Sequence, residues 1–133
     1  MFLLDTNILS DLIRHPQGVI AARIAEVGET EIATSIVVAS ELRYGAQRRG
    51  SPRLTAQLEA VLELLPTLPL GGDADIHYGR LRASLEQRGT PVGANDMLIA
   101  AHALSLGATL VTDNVREFER VTGLAIANWL RDA

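Results

Sequence analysis

Cysteine and lysine are both missing from this chain of 133 residues. Without cysteine there is no disulfide, no thiolate zinc site and no cysteine nucleophile. All twelve basic residues are arginine. That excludes a phosphate-loop lysine, a Schiff-base lysine and a lysine general base together. Aromatic residues make up only 4%, too few for an extended platform on which bases could stack. The longest nearly apolar run, Met97–Leu104, spans 8 residues and contains His102, far short of the ~20 that cross a bilayer. The opening Met1-Phe2-Leu3-Leu4-Asp5 has no basic segment or small-residue cleavage site, so a cytoplasmic protein with no membrane association is expected.

What is present fits one globular domain over 1–133. Apolar residues, 47% of the chain, recur along its whole length, and a chain of this size buries a core without staples. A net charge of −4 argues against a general polyanion binder, though not against a local basic patch.

Short β-type runs alternate with helical periodicity. Strands are expected at Phe2–Leu4, Glu31–Thr34, Thr67–Leu70 (weakened by Pro69), Thr109–Thr112 and Leu124–Ala127. Helices are expected at Thr6–Arg14, about 17–26, 35–49, about 54–65, 74–88, 95–106 with Gly107 as its C-cap, and about 115–120. The pattern is that of an α/β fold, a parallel sheet of about five short strands with helices on both faces. Ligands in such sheets collect at the carboxyl ends of the strands, so residues just after strands and at helix starts carry the information.

Four acids stand out there. Asp5 ends the first strand, Asp113 follows the fourth, Asp96 opens the helix that leads into the fourth, and Glu41 lies a turn and a half into the helix after the second. An aspartate at a helix start is also an ordinary cap, worth ~0.3–1 kcal/mol. Glu41 is harder to dismiss, because its neighbours Val37, Val38, Ala39 and Gly45 suit a free charge poorly. If the first and fourth strands are neighbours, ~4.8 Å apart, Asp5 and Asp113 are side by side and need a cation between them. With no lysine to supply it, a hard divalent ion, Mg2+ or Mn2+, is the natural counter-charge, and Thr and Asn neighbours suit such an ion better than zinc. Carboxylates around such an ion suit hydrolysis of a phosphodiester.

The segments Asp5-Thr6-Asn7, Glu41-Leu42-x-x-Gly45-Ala46, Asn95-Asp96-x-x-Ile99-Ala100 and Val111-Thr112-x-Asn114 resemble PIN-domain ribonucleases, specifically toxins of the VapC type. The tail from Asn114 through Arg116-Glu117-Phe118-Glu119-Arg120-Val121 to Gly123-Leu124 and Asn128-Trp129 is similar as well. The resemblance implies a PIN-like fold and an endoribonuclease dependent on Mg2+ or Mn2+, held inactive by a cognate VapB-type antitoxin. It implies Asp5, Glu41, Asp96 and Asp113 as catalytic and metal-binding acids, Asp113 being the position where the family varies. Thr6, Asn7, Thr112 and Asn114 would orient ligands or water. It implies a homodimer that meets promoter DNA only through its antitoxin. It also implies an RNA substrate, with cleavage of tRNA in the anticodon loop, initiator tRNA above all. Arg43, Arg48, Arg49 and Arg53, with Arg80, Arg82 and Arg88, would contact RNA phosphates or simply form solvated helix faces. Tyr44 would stack on a base or pack at an interface.

Rival readings lack residues. A phosphorelay receiver needs an acceptor aspartate after its third strand, where Leu70-Gly71 stands, and a late lysine. A phosphatase of the haloacid dehalogenase type needs a second aspartate at position 7, which is Asn7. The remaining alternative is a catalytically silent PIN-like binding module, whose mark would be a missing acid. No pair of histidines has metal-ligand spacing. His102 reads as a packed or surface residue, and Ala103-x-Ser105-x-Gly107 falls at a helix end rather than at the strand-to-helix turn a nucleophile elbow needs.

Overall fold

Leu3 and Leu4 are fully buried because the strand they form lies in the middle of the sheet rather than at its edge. The computed structural model describes residues 1–131; residues 132 and 133, the end of the expected 1–133 domain, lie outside the described residues. In chain order the elements are β1 (Phe2–Leu4), α1 (Thr6–Arg14), α2 (Val19–Val27), a 3-10 turn (Glu29–Glu31), β2 (Ile32–Ser35), α3 (Ile36–Arg49) and α4 (Pro52–Leu64). Then follow β3 (Thr67–Leu68), α5 (Ala74–Arg88), α6 (Ala94–Leu106), β4 (Thr109–Val111), α7 (Val115–Phe118) and β5 (Ile126–Ala127).

The sheet order is β3-β2-β1-β4-β5, and every pairing is parallel. The chain moves outward one way from β1 to β3 and the other way from β4 to β5. Right-handed connections therefore place α1–α4 on one face and α5–α7 on the other. The direction reverses between β1 and β4, and a crevice opens at their carboxyl ends. The expected adjacency of the first and fourth strands is present, in the register Leu4 opposite Val111.

Several boundaries differ from expectation for local reasons. Glu31 belongs to the 3-10 turn after Gly28 (φ 93°), so β2 begins at Ile32. Pro69 lacks an N–H to continue the ladder, and β3 stops at Leu68. The fourth helix starts earlier than its apolar spacing suggested. The Ser51 hydroxyl accepts the Leu54 N–H at 3.1 Å, and Pro52 takes the first position, where no N–H is needed. The last helix ends at Phe118 rather than Arg120, and only Ile126–Ala127 pair as the last strand. Gly107 closes α6 with φ 63°, as its position predicted, a conformation a side chain would strain.

His102 turns out to be packed. It is 1% exposed, and its Nδ1 lies 2.8 Å from the Ser35 hydroxyl, tying α6 to the start of α3. Burial holds its imidazole below the usual histidine range. Phe118, fully buried, fixes the single turn of α7 to the core. Phe118→Ala is expected to lower unfolding free energy by about 3–5 kcal/mol, measured by urea denaturation.

Candidate active site

The register of β1 and β4 decides which side chains meet. With Leu4 opposite Val111, the residue facing Asp5 is Thr112, one step before Asp113. The Asp5 N–H donates to the Val111 carbonyl at 2.9 Å. Its carboxylate caps α1 by accepting the Thr6 N–H at 2.8 Å, and its other oxygen accepts the Thr112 hydroxyl at 2.7 Å. Asp5 is 3% exposed. Burial pushes its carboxyl above the usual range, while Thr112 and Thr6 oppose that shift. Thr112 is a junction in its own right, because the Asn114 N–H donates to its oxygen at 3.0 Å and Asn7 Nδ2 lies 3.5 Å away.

Glu41 reaches the same edge from α3. Its Oε1 accepts the Thr6 hydroxyl at 2.7 Å and its Oε2 accepts Asn95 Nδ2 at 3.3 Å. Asp96, in the first turn of α6, is half-buried among like charges. It is pushed up to about 7, first by burial and then by Glu117, Asp5 and Glu41. Glu117 is the residue the sequence reading passed over. Its Oε1 accepts the Gly93 N–H and its Oε2 accepts Asn114 Nδ2, both at 2.7 Å. Those bonds and one from Asp96 hold it below the usual range.

The expectation for Asp113 is corrected by the same geometry. Its carboxylate does not face Asp5. It accepts Asn128 Nδ2 and Arg131 Nε, both at 2.9 Å, and these partners lower its affinity for a proton. Its backbone N–H donates to Asn7 Oδ1 at 3.0 Å. Thr112 takes the place facing Asp5, and Asp113, one residue on, bonds Asn128 and Arg131 instead. The cation that the sequence argument thought missing beside Asp113 is Arg131.

Glu117 thus takes the fourth place, and a signal for it existed: Asn114-x-x-Glu117 has the spacing at which two side chains meet over one helical turn. Among the expected arginines, Arg43 is engaged on both edges by Glu59, at 3.0 and 2.7 Å. Arg82 lies on Tyr78 and Glu86. Arg48 and Arg49 end α3, and Arg49 lines a groove of about 330 Å³ with Thr6, Arg14, Glu41 and Gly45. Tyr44 is 67% exposed.

The donor set fits a hard divalent cation. It is all oxygen, from carboxylates set among hydroxyl and amide side chains. Among the described residues no three carboxylates are already gathered into a metal-binding group. Asp5, Glu41 and Glu117 are instead held by hydroxyl, amide or backbone donors, with Asp96 against Glu117. A carboxyl with raised affinity in the fold is charged earlier in the unfolded chain. Metal-free stability should therefore fall as pH rises from about 4 through about 7. Asp96→Asn is expected to flatten that fall. In EDTA at alkaline pH it should raise the melting temperature by about 3–6 °C, read by calorimetry.

Comparison with known proteins follows the same lines. The PIN domain family model matches residues 2–124. Ribonuclease VapC2 of Rickettsia felis is 36% identical over 131 residues, covering 97% of this chain and 98% of that protein. The tRNA(fMet)-specific endonuclease VapC of Salmonella typhimurium is 39% identical over 129 residues, covering 96% and 97%. Among solved structures, a chain of the Rickettsia felis VapBC2 complex bound to a promoter DNA fragment superposes with a TM-score of 0.89 at 34% identity, covering 96% of this chain and 98% of that one. A chain of DNA-bound VapBC from Salmonella typhimurium gives 0.86 at 37%, covering 96% and 97%.

Proposed function

Because the chain belongs to the PIN-domain family and is an endoribonuclease of the VapC toxin type, we propose that Asp5, Glu41, Asp96 and Glu117 hold Mg2+ or Mn2+ and hydrolyse RNA there. The observation that carries this is the convergence of Asp5, Glu41 and Glu117 on Asp96, each of the three aimed by its own donors, with Asp96 pushed up to about 7 first by burial and then by those acids. A cation bound among them would lower the pKa of an attacking water and stabilise charge on the leaving oxygen. The chain's own residues do the positioning. Thr112 and the Thr6 N–H fix both oxygens of Asp5, Thr6 and Asn95 aim Glu41, and Gly93 and Asn114 aim Glu117. Asn7 and Asn114 brace Thr112 and so act through it.

The substrate we assign is tRNA, initiator tRNA cut in its anticodon loop, on the strength of the likeness to the tRNA(fMet)-specific endonuclease of Salmonella typhimurium. The partner is a VapB-type antitoxin, as in the complexes the chain superposes on. The groove between α1, α3 and α4, with Ile13, Leu42, Leu54 and Leu58 among its lining, leads from Glu41 and offers apolar surface to a partner segment. The chain would act as a single PIN domain in a cytoplasmic homodimer, meeting promoter DNA only through its antitoxin.

The test is sequencing of RNA 5′ ends after induced expression, with purified protein on tRNA in Mg2+, Mn2+ or EDTA. The expected result is one dominant cut site that disappears in EDTA. Cleavage unaffected by EDTA would overturn the metal assignment, and intact tRNA beside another fragmented RNA would overturn the substrate.

A further inference from the structure

RNA approaching four carboxylates meets charge of its own sign, and a chain of net charge −4 without lysine has only arginine to offset it. Arg131 reaches that edge through bonded contacts. A continuous path leads to it: the Thr112 hydroxyl bonds Asp5 at 2.7 Å, Asp113 follows Thr112 with its N–H on Asn7 at 3.0 Å, and Asp113 Oδ1 accepts Arg131 Nε at 2.9 Å. The tail that carries Arg131 is anchored, since Trp129 is 4% exposed and its ring lies 5.2 Å from that of Phe2.

The mode of attachment matters. A guanidinium presents five donors in a flat fork, and among the described residues Asp113 engages it only at Nε. The Arg131 side chain is 76% exposed, so its terminal amino groups meet solvent. Arg43 differs, closed on both edges by Glu59. Arg88 and Arg120 also differ, each giving a terminal nitrogen to a backbone carbonyl. A surface pair as open as Asp113–Arg131 adds little to stability, and Asn128 already ties the tail to Asp113. The pair therefore holds a cation at the end of β4, one residue beyond the Thr112 that bonds Asp5.

We propose that Arg131, held in place by Asp113, binds an RNA phosphate next to the one being cut. Asp113 is then a positioning residue rather than a metal ligand. This rests on the nuclease reading above and names a substrate contact for that site.

The test is cleavage kinetics of initiator tRNA in Mn2+ from about 50 to 200 mM salt. Arg131→Ala is expected to raise KM about tenfold with kcat within about twofold. It should also shallow the slope of log(kcat/KM) against log salt by about 0.7–1, the loss of one phosphate contact. Arg131→Lys should restore the slope and part of the KM. Asp113→Asn should move KM the same way by less, and Asp113→Asn with Arg131→Ala should be no worse than Arg131→Ala alone. An unchanged salt slope in Arg131→Ala overturns the proposal. So does a folded Asp113→Asn that loses kcat together with Mn2+ affinity, which would return Asp113 to the metal. A wild-type chain that leaves RNA uncut defeats the nuclease reading and this proposal with it. A cutting wild type beside an unaltered Arg131→Ala defeats the proposal alone.

Discussion

Asp96→Asn and Asp5→Asn are each expected to cut the rate of RNA hydrolysis by about 10²–10³-fold while leaving the protein folded. Both changes keep shape and remove one negative charge. At Asp5 the amide oxygen can still accept the Thr6 N–H, and Thr112 can turn its hydroxyl to accept from the new amide group by giving up its long 3.5 Å contact with Asn7. At Asp96 the change relieves crowding, since burial and Glu117, Asp5 and Glu41 all disfavour its charge. Loss of rate with retained or raised metal-free stability separates a cation-binding role from a structural one. Initial rates on initiator tRNA, with Mn2+ affinity by isothermal calorimetry, read both. Wild-type rates in either variant would remove that residue from the site.

Glu117→Gln is expected to lower the rate by about 10²-fold, whereas Asp113→Asn should leave kcat within a few-fold. The contrast follows from where each carboxylate points. Glu117 is held by Gly93 and Asn114 against Asp96, whereas Asp113 faces Asn128 and Arg131. Glutamine at 117 keeps an oxygen for the Gly93 N–H but offers a poor ligand to a hard cation. Single-turnover kinetics at saturating Mn2+ distinguishes the two variants, and the reverse order of effects would restore Asp113 to the metal.

The residues explain which parts of this were legible in the sequence. The alternation of runs was enough for a parallel sheet, and the reversal of chain direction was enough to put Asp5 and the end of β4 at one crevice. Register is finer than either. Nothing local to Val111-Thr112-Asp113 states which of its residues faces Asp5, and one step exchanges a carboxylate for a hydroxyl. Arg131 was invisible as the partner of Asp113 because their contact depends on how Trp129 packs against Phe2. Glu41 was readable, since an acid among small and apolar neighbours on α3 needs a reason, and Thr6 and Asn95 supply it. Arg43 was misleading for the opposite reason, because Glu59 on the next helix takes up its charge.

The central place of β1 has a consequence for biosynthesis. A ribosome delivers Asp5 107 residues before the hydroxyl that orients it, and Glu117 emerges later still. Contacts so distant along the chain form only when both ends are free to meet. A nascent polypeptide therefore carries the early acids without assembling them, and the cell making this toxin is exposed to its activity only once the chain has been made through Glu117 and released to fold.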